Sequence, residues 1–206
     1  TTGGGIIDQS GTGLLKFTGT NTATVAGSKT LTLQGSTAGT GEISGAIVNS
    51  SNATAVTKSG TGTWKLSGAN TYTGTTTVSA GTLQYGAGNV IATGAITVSG
   101  GTLDIGTYSD TVGTVTLTSG TITGTTGVLT GGAAYAVQSG TISAILGGDV
   151  GLTKTTTGTV TLSGANTYTG TTTINAGTLL IGVDAFSGSS GALGDATSNV
   201  LLGNTT

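Results

Sequence analysis

The chain has 206 residues, 6% of them charged, and a formal net charge of −2. Glycine fills 41 positions and threonine 50, while proline, cysteine, methionine, histidine and arginine are absent. So little charge excludes the dense basic footprint that nucleic-acid binding needs, the lack of cysteine excludes disulfides, and no apolar run reaches the roughly 18 residues of a membrane-spanning helix.

Threonine, valine and isoleucine favour extended backbone, and the chain arranges them in repeats. The first element is a worn copy, SGTGLLKFTGTNT, starting at Ser10. A full copy runs from Lys58 to Gly86, KSGTGTWKLSGANTYTGTTTVSAGTLQYG. A second, from Lys154 to Gly182, agrees with it at 21 of 29 positions at an offset of 96 residues. Beneath this long period lies a short one. Gly-Thr-apolar begins at Gly62, Gly81, Gly101, Gly120, Gly140, Gly158 and Gly177, in steps of 18 to 20 residues. A unit of about 20 residues with strand-like alternation is one coil of a β-solenoid.

Each coil predicts two strands of period 2. After the motif glycine one apolar column reads Trp64, Leu83, Leu103, Ile122, Ile142, Val160, Leu179, and a second reads Leu66, Tyr85, Ile105, Gly124, Ala144, Leu162, Ile181. The strand before the glycine offers Val78, Val98, Leu117, Val137 and Ile174 as inward residues. The coil from Gly140 to Thr157 breaks that last column. Small residues precede the glycines (Ala80, Gly100, Ser119, Ser139, Thr157, Ala176), where the chain must turn. The predicted fold is all-β, a right-handed parallel β-helix with coils of about 19–20 residues. Residues 1–206 form one segment of about nine coils, a rod on the order of 40 Å long.

The stretch from Ser59 to Leu83 resembles the autotransporter-associated β-strand repeat, also called the passenger-associated transport repeat. Its core of Ser-Gly-Ala-Asn-Thr-Tyr-Thr-Gly is matched from Gly68 to Gly74 and again from Gly164 to Gly170. The resemblance implies a right-handed β-helix in very large exported bacterial proteins, often passengers of an outer-membrane barrel, which act as adhesins, surface fibres or stalks. It places the chain at the bacterial cell surface or outside the cell. Thr1 is not an initiator methionine and no signal peptide is visible in the sequence, so the segment is expected to be part of a longer repeat protein.

Four residues stand out as candidate surface contacts, Asn70, Tyr72, Asn166 and Tyr168. An exposed tyrosine beside asparagine can stack on a sugar; the competing reading has asparagine in a turn and tyrosine packed across the corner with its hydroxyl in water. The acids are Asp8, Glu42, Asp104, Asp110, Asp149, Asp184 and Asp195. Asp104 and Asp110 are expected to flank a solvated turn, and no carboxylate pair with histidine or arginine support suggests a lyase or glycosidase. Gly147-Gly148-Asp149 is a lone fragment of a calcium-binding nonapeptide. A column of Thr63, Thr82, Thr102, Thr121, Thr141, Thr159 and Thr178 faces outward, but its neighbours (Lys65, Gln84, Asp104) are unlike the paired threonine columns of ice-binding solenoids. No catalytic residue, metal ligand or cofactor is assigned. The expected role is a structural or adhesive spacer, with a carbohydrate-active β-helix as the alternative. Its expected partners are a host or glycan surface and, because neither end carries a capping signal, other chains joined end to end.

Overall fold

The structure, a computed structural model, describes residues 3–36, 38–183, 190–195 and 197–203. Among these residues there is no helix, and hence none long and apolar enough to cross a membrane. Every strand pairing is parallel, and the strands stack coil on coil as a β-solenoid.

Two walls correspond to the two predicted strands. The first wall stacks Gly3–Asp8, Lys29–Gln34, Thr54–Lys58, Thr76–Val78 and the front of Ile96–Gly106. It continues through the front of Val115–Gly124, Tyr135–Val137, Leu152–Lys154, Thr172–Ile174 and Val200–Leu202. The second wall stacks Leu14–Phe17, Thr40–Ile43, Thr63–Leu66, Thr82–Tyr85 and the back of Ile96–Gly106. Above these lie the back of Val115–Gly124, then Gly140–Ile142, Thr159–Leu162 and Thr178–Ile181. A third wall, which the alternation did not predict, holds Asp110–Val112, Val128–Gly131 and Ile145–Gly147.

The inward columns are those the alternation specified except at the last coil, where Ile174 and Leu179 are half-buried and Ile181 is exposed. Trp64, Leu83, Leu103, Ile122, Ile142 and Val160 are buried, as are Val78, Val98, Leu117 and Val137. Because neighbouring coils are in register, each column fills itself by stacking large on large or large on small. The clearest case is Trp64, whose ring lies over Gly41, its register partner in the coil below. A Cβ on Gly41 would sit 2.4 Å from the indole ring, so glycine there is what admits tryptophan. Trp64 in turn stacks on Phe17 at a centroid distance of 6.5 Å and donates its Nε1–H to the carbonyl of Gln34 at 2.8 Å.

The break expected in the coil from Gly140 is filled by Lys154, which stands between Val137 and Ile174 in the first-wall column; in the same coil the second wall slips by two residues. Thr121 pairs with Thr141, but Thr141 pairs with Thr161 and Ile142 with Leu162, so Gly158 is not the register partner of Gly140. The columns aligned by matching motif glycines, Ile142 on Val160 and Ala144 on Leu162, are therefore corrected. The slip is even, so inward residues stay inward and the core remains continuous.

Candidate functional site

The third side of the coil is where the two long repeats place their polar residues. Asn70 follows the short Ser67-Gly68-Ala69 bend and points into the interior. Its Oδ1 accepts the N–H of Ile47 in the coil below at 2.7 Å, and its Nδ2 donates to the carbonyl of Val90 in the coil above at 2.6 Å. The amide of Thr71 also donates to the Ile47 carbonyl at 2.9 Å, so both polar groups of Ile47 are gripped. Asn166 repeats the arrangement, with Oδ1 on Leu146 N–H at 2.8 Å and Nδ2 on the Ala192 carbonyl at 2.7 Å. A carboxamide carries one acceptor and one donor end, like a peptide group, and here it serves as a side-chain rung where the backbone forms no strand.

The expected surface contacts are corrected by this placement. Tyr72, Tyr168 and Asn166 are fully buried and Asn70 is 6% exposed. No sugar can stack on either ring, and neither hydroxyl is in water. Instead Tyr72 shares a hydrogen bond with Thr76 and Tyr168 with Thr172, each at 2.7 Å. Thr76 and Thr172 are inward residues of the first wall, so the pair ties the third side to the first across the interior. Burial raises both phenols above their ordinary range. Tyr135 does similar work one wall over: its hydroxyl accepts from Gly131 N–H and lies 2.7 and 2.6 Å from the carbonyls of Leu129 and Gly147.

The alternation points Lys58 and Lys154 inward as well, a consequence missed at the level of sequence. They stand in the aliphatic column of the first wall, Leu33–Lys58–Val78 and Val137–Lys154–Ile174, and both are fully buried. Neither meets a carboxylate among the described residues. The Lys58 ammonium donates to the carbonyls of Ser59, Gly60 and Ala80 at 2.8, 2.7 and 3.1 Å, and Lys154 donates to those of Thr156 and Ala176. Each lysine thus collects the carbonyls that a sharp corner turns inward, from its own coil and the next. Burial pulls Lys58 down to about 8 and Lys154 down in the same direction. The opposing glycines make the room: Gly81 and Gly177 have φ of 60° and 73°, and a Cβ on them would lie 2.6 and 2.7 Å from the two ammonium nitrogens.

The two carboxylates expected on one turn are separated by environment. Asp104 points outward, accepting from Gln84 Nε2 at 3.0 Å and from its own turn at Gly106 N–H. Asp110 is buried and accepts the N–H of Ile91 at 2.9 Å, which corrects its assignment to a solvated turn. On the second wall an outward column runs Lys16, Glu42, Lys65, Gln84, Asp104, with Lys16 and Glu42 paired at 3.1 Å. Ser67 donates to Glu42 and, with Lys16, holds its carboxyl below the usual range. The expected threonine column lies beside it, with Thr161 rather than Thr159 next to Thr141. The first wall carries an uncharged outward column of its own, Thr32, Thr57, Thr77, Thr97, Thr116, Ala136, Thr153 and Thr173. Stacked threonines hold register by cross-strand pairing. Asp184 lies outside the described residues.

The model of the passenger-associated-transport-repeat matches residues 56–84 and 152–181. Two stretches of the chain are thus similar to the passenger-associated transport repeat. Each matched span contains one complete set of the interior groups just described: Lys58, Asn70, Tyr72 and Thr76 in the first, Lys154, Asn166, Tyr168 and Thr172 in the second. A 53-residue stretch, 26% of the chain, is 51% identical to part of "Adhesin BmaC autotransporter" of Brucella suis biovar 1 (strain 1330). That match covers 2% of the relative's length. No solved structure matches the chain. Within each matched stretch of this chain, then, the distinctive Ser-Gly-Ala-Asn-Thr-Tyr-Thr-Gly core is an internal clamp on the coils below and above it.

Proposed function

We propose that this segment is a β-solenoid spacer within the passenger of an exported bacterial adhesin, holding other parts of a much longer protein away from the cell surface. The observation that carries the reading is the placement of both repeats' polar residues in the interior, where they join coils, while the outer walls present mostly threonine. The similarity to an autotransporter adhesin supports a surface location and a non-enzymatic role. Exposed apolar residues on the outermost described rungs, Ile6 and Leu14 at one end and Leu201 and Leu202 at the other, fit continuation of the stack by further coils or by a second chain.

The experiment is an in-register deletion in the parent protein. Removing residues 63–158 joins Gly62 to Thr159, the repeat equivalent of the Thr63 that normally follows it, and shortens the rod by five coils, about 24 Å. The spacer reading expects unchanged surface display and retained adhesion with shorter reach. Loss of adhesion at unchanged display would overturn it and assign the contact to these walls. A glycan array on the isolated chain tests the same point directly, since specific binding would make the walls themselves adhesive.

A further inference from the structure

Asp110 takes the place on the third side that asparagine holds in both repeats. Asn70 and Asn166 each accept a backbone N–H from the coil below, and Asp110 does the same with Ile91. The coil above is joined differently, by backbone pairing of Asp110–Val112 with Val128–Gly131. Asparagine is neutral and uses both ends of its side chain. Asp110 is 2% exposed, and its second oxygen, Oδ1, has no hydrogen-bond partner. The hydroxyl of Tyr85, also buried, faces that carboxyl and has no other hydrogen-bond partner. Tyr85 and Tyr72 are the titratable groups that face Asp110. Neither the segment 88–91 nor the strand Val128–Gly131 brings an ionisable group, and Asp104 is turned to the outer face. No lysine faces the carboxyl, in contrast to Lys16 beside Glu42.

We propose that Asp110 is a proton-operated latch in the rod, which closes the coils around Ile91 and Leu129 when it is protonated and loosens them when it is ionised. An ionised carboxylate here is a buried charge without a counter-cation, the costliest state of the group. Protonation removes the charge, leaves Oδ2 free to accept from Ile91, and lets Oδ1 donate to the Tyr85 hydroxyl instead of accepting from it, so that no charge remains buried. The neutral acid thereby becomes the counterpart of Asn70 and Asn166. Burial pushes the Asp110 carboxyl up from 3.8 to about 6. The folded state therefore holds its proton more tightly than the unfolded chain, and stability present in acid is lost as pH rises through that window.

Hydrogen exchange on the 206-residue chain between pH 4 and pH 7, corrected for intrinsic rates, reads the latch at peptides covering 88–112 and 128–131. A shift of about two pH units corresponds to about a 100-fold rise in local opening across the range. Peptides in the clamped coils around Asn70 and Asn166 should change far less. In Asp110→Asn the pH dependence should vanish, with protection at pH 7 at or above that of the wild type. A flat wild-type profile would overturn the proposal, as would a variant that keeps the dependence. Should the variant fail to fold, the carboxyl carbon of Asp110 in the wild type decides by NMR titration: a midpoint at or below 4 overturns the latch, and one near 6 sustains it.

Discussion

Replacing Asn70 by alanine tests whether the repeat core is an internal clamp. The substitution leaves the N–H of Ile47 and the carbonyl of Val90 without their partners. Both lie where the chain forms no regular strand, and Ile47, Asn70 and Val90 are all buried. A buried polar group left unsatisfied costs about 1–3 kcal/mol, so the pair should cost about 2–6 kcal/mol. Asn70→Asp separates the two halves, since it keeps an acceptor for Ile47 and loses the donor to Val90. A stacked array need not unfold in one step. The assay is therefore urea denaturation combined with hydrogen exchange at the amides of Ile47 and Thr71. Alanine should lower the urea midpoint and expose both amides, and aspartate should protect Ile47 better than alanine does. If Asn70→Ala stays within about 0.5 kcal/mol of the parent with both amides still protected, the side-chain rung carries no load and the clamp reading fails.

Two further outcomes concern the corners. Gly81→Ala puts a Cβ 2.4 Å from the carbonyl oxygens of Gly60 and Gly62 at a φ of 60°, and should cost several kcal/mol in the same melt. Gly106→Ala, at a φ of 53° but with nothing nearer than 4.0 Å, should cost only about 1 kcal/mol. Equal losses would mean that space at the corner is immaterial. The buried lysines should make stability rise with pH from about 8 toward the ordinary lysine value of 10.5, because the folded chain sheds the Lys58 proton before the unfolded chain does. The double variant Lys58→Met, Lys154→Met should lose that rise, and a melt series between pH 7 and pH 10.5 checks it.

The walls were legible because their alternation is strict. Leu83, Leu103 and Val98 are inward in the pattern and buried in the structure. The lysines were legible in principle, since Lys58 and Lys154 fall in the same column as Val78 and Val98. The habit of placing charges outside overrode the pattern, and only the carbonyls at the corner explain why an ammonium is tolerated there. Asn70 and Tyr72 were misread for a different reason. They sit between strands, where period 2 assigns no direction, and a polar residue in a turn is normally wet. The third wall has short strands and no motif glycine to mark them. The slip at Gly140 was hidden because identical Gly-Thr motifs invite alignment by identity, whereas pairing follows the fit of side chains across coils.

The asparagine rung also bears on where such a rod can change over evolutionary time. A strand fixes several consecutive residues to both neighbours, so an added residue there disturbs a whole face. Asn166 instead fastens one residue below and one above, leaving the chain on either side of each contact free to lengthen. Ile174 and Leu202, register partners in the first wall, lie further apart in sequence than any other register partners of that wall, and Asn166 still reaches between them to the carbonyl of Ala192. A lineage could graft new loops along that single edge, one per clamp, while the two threonine-faced walls kept their pitch.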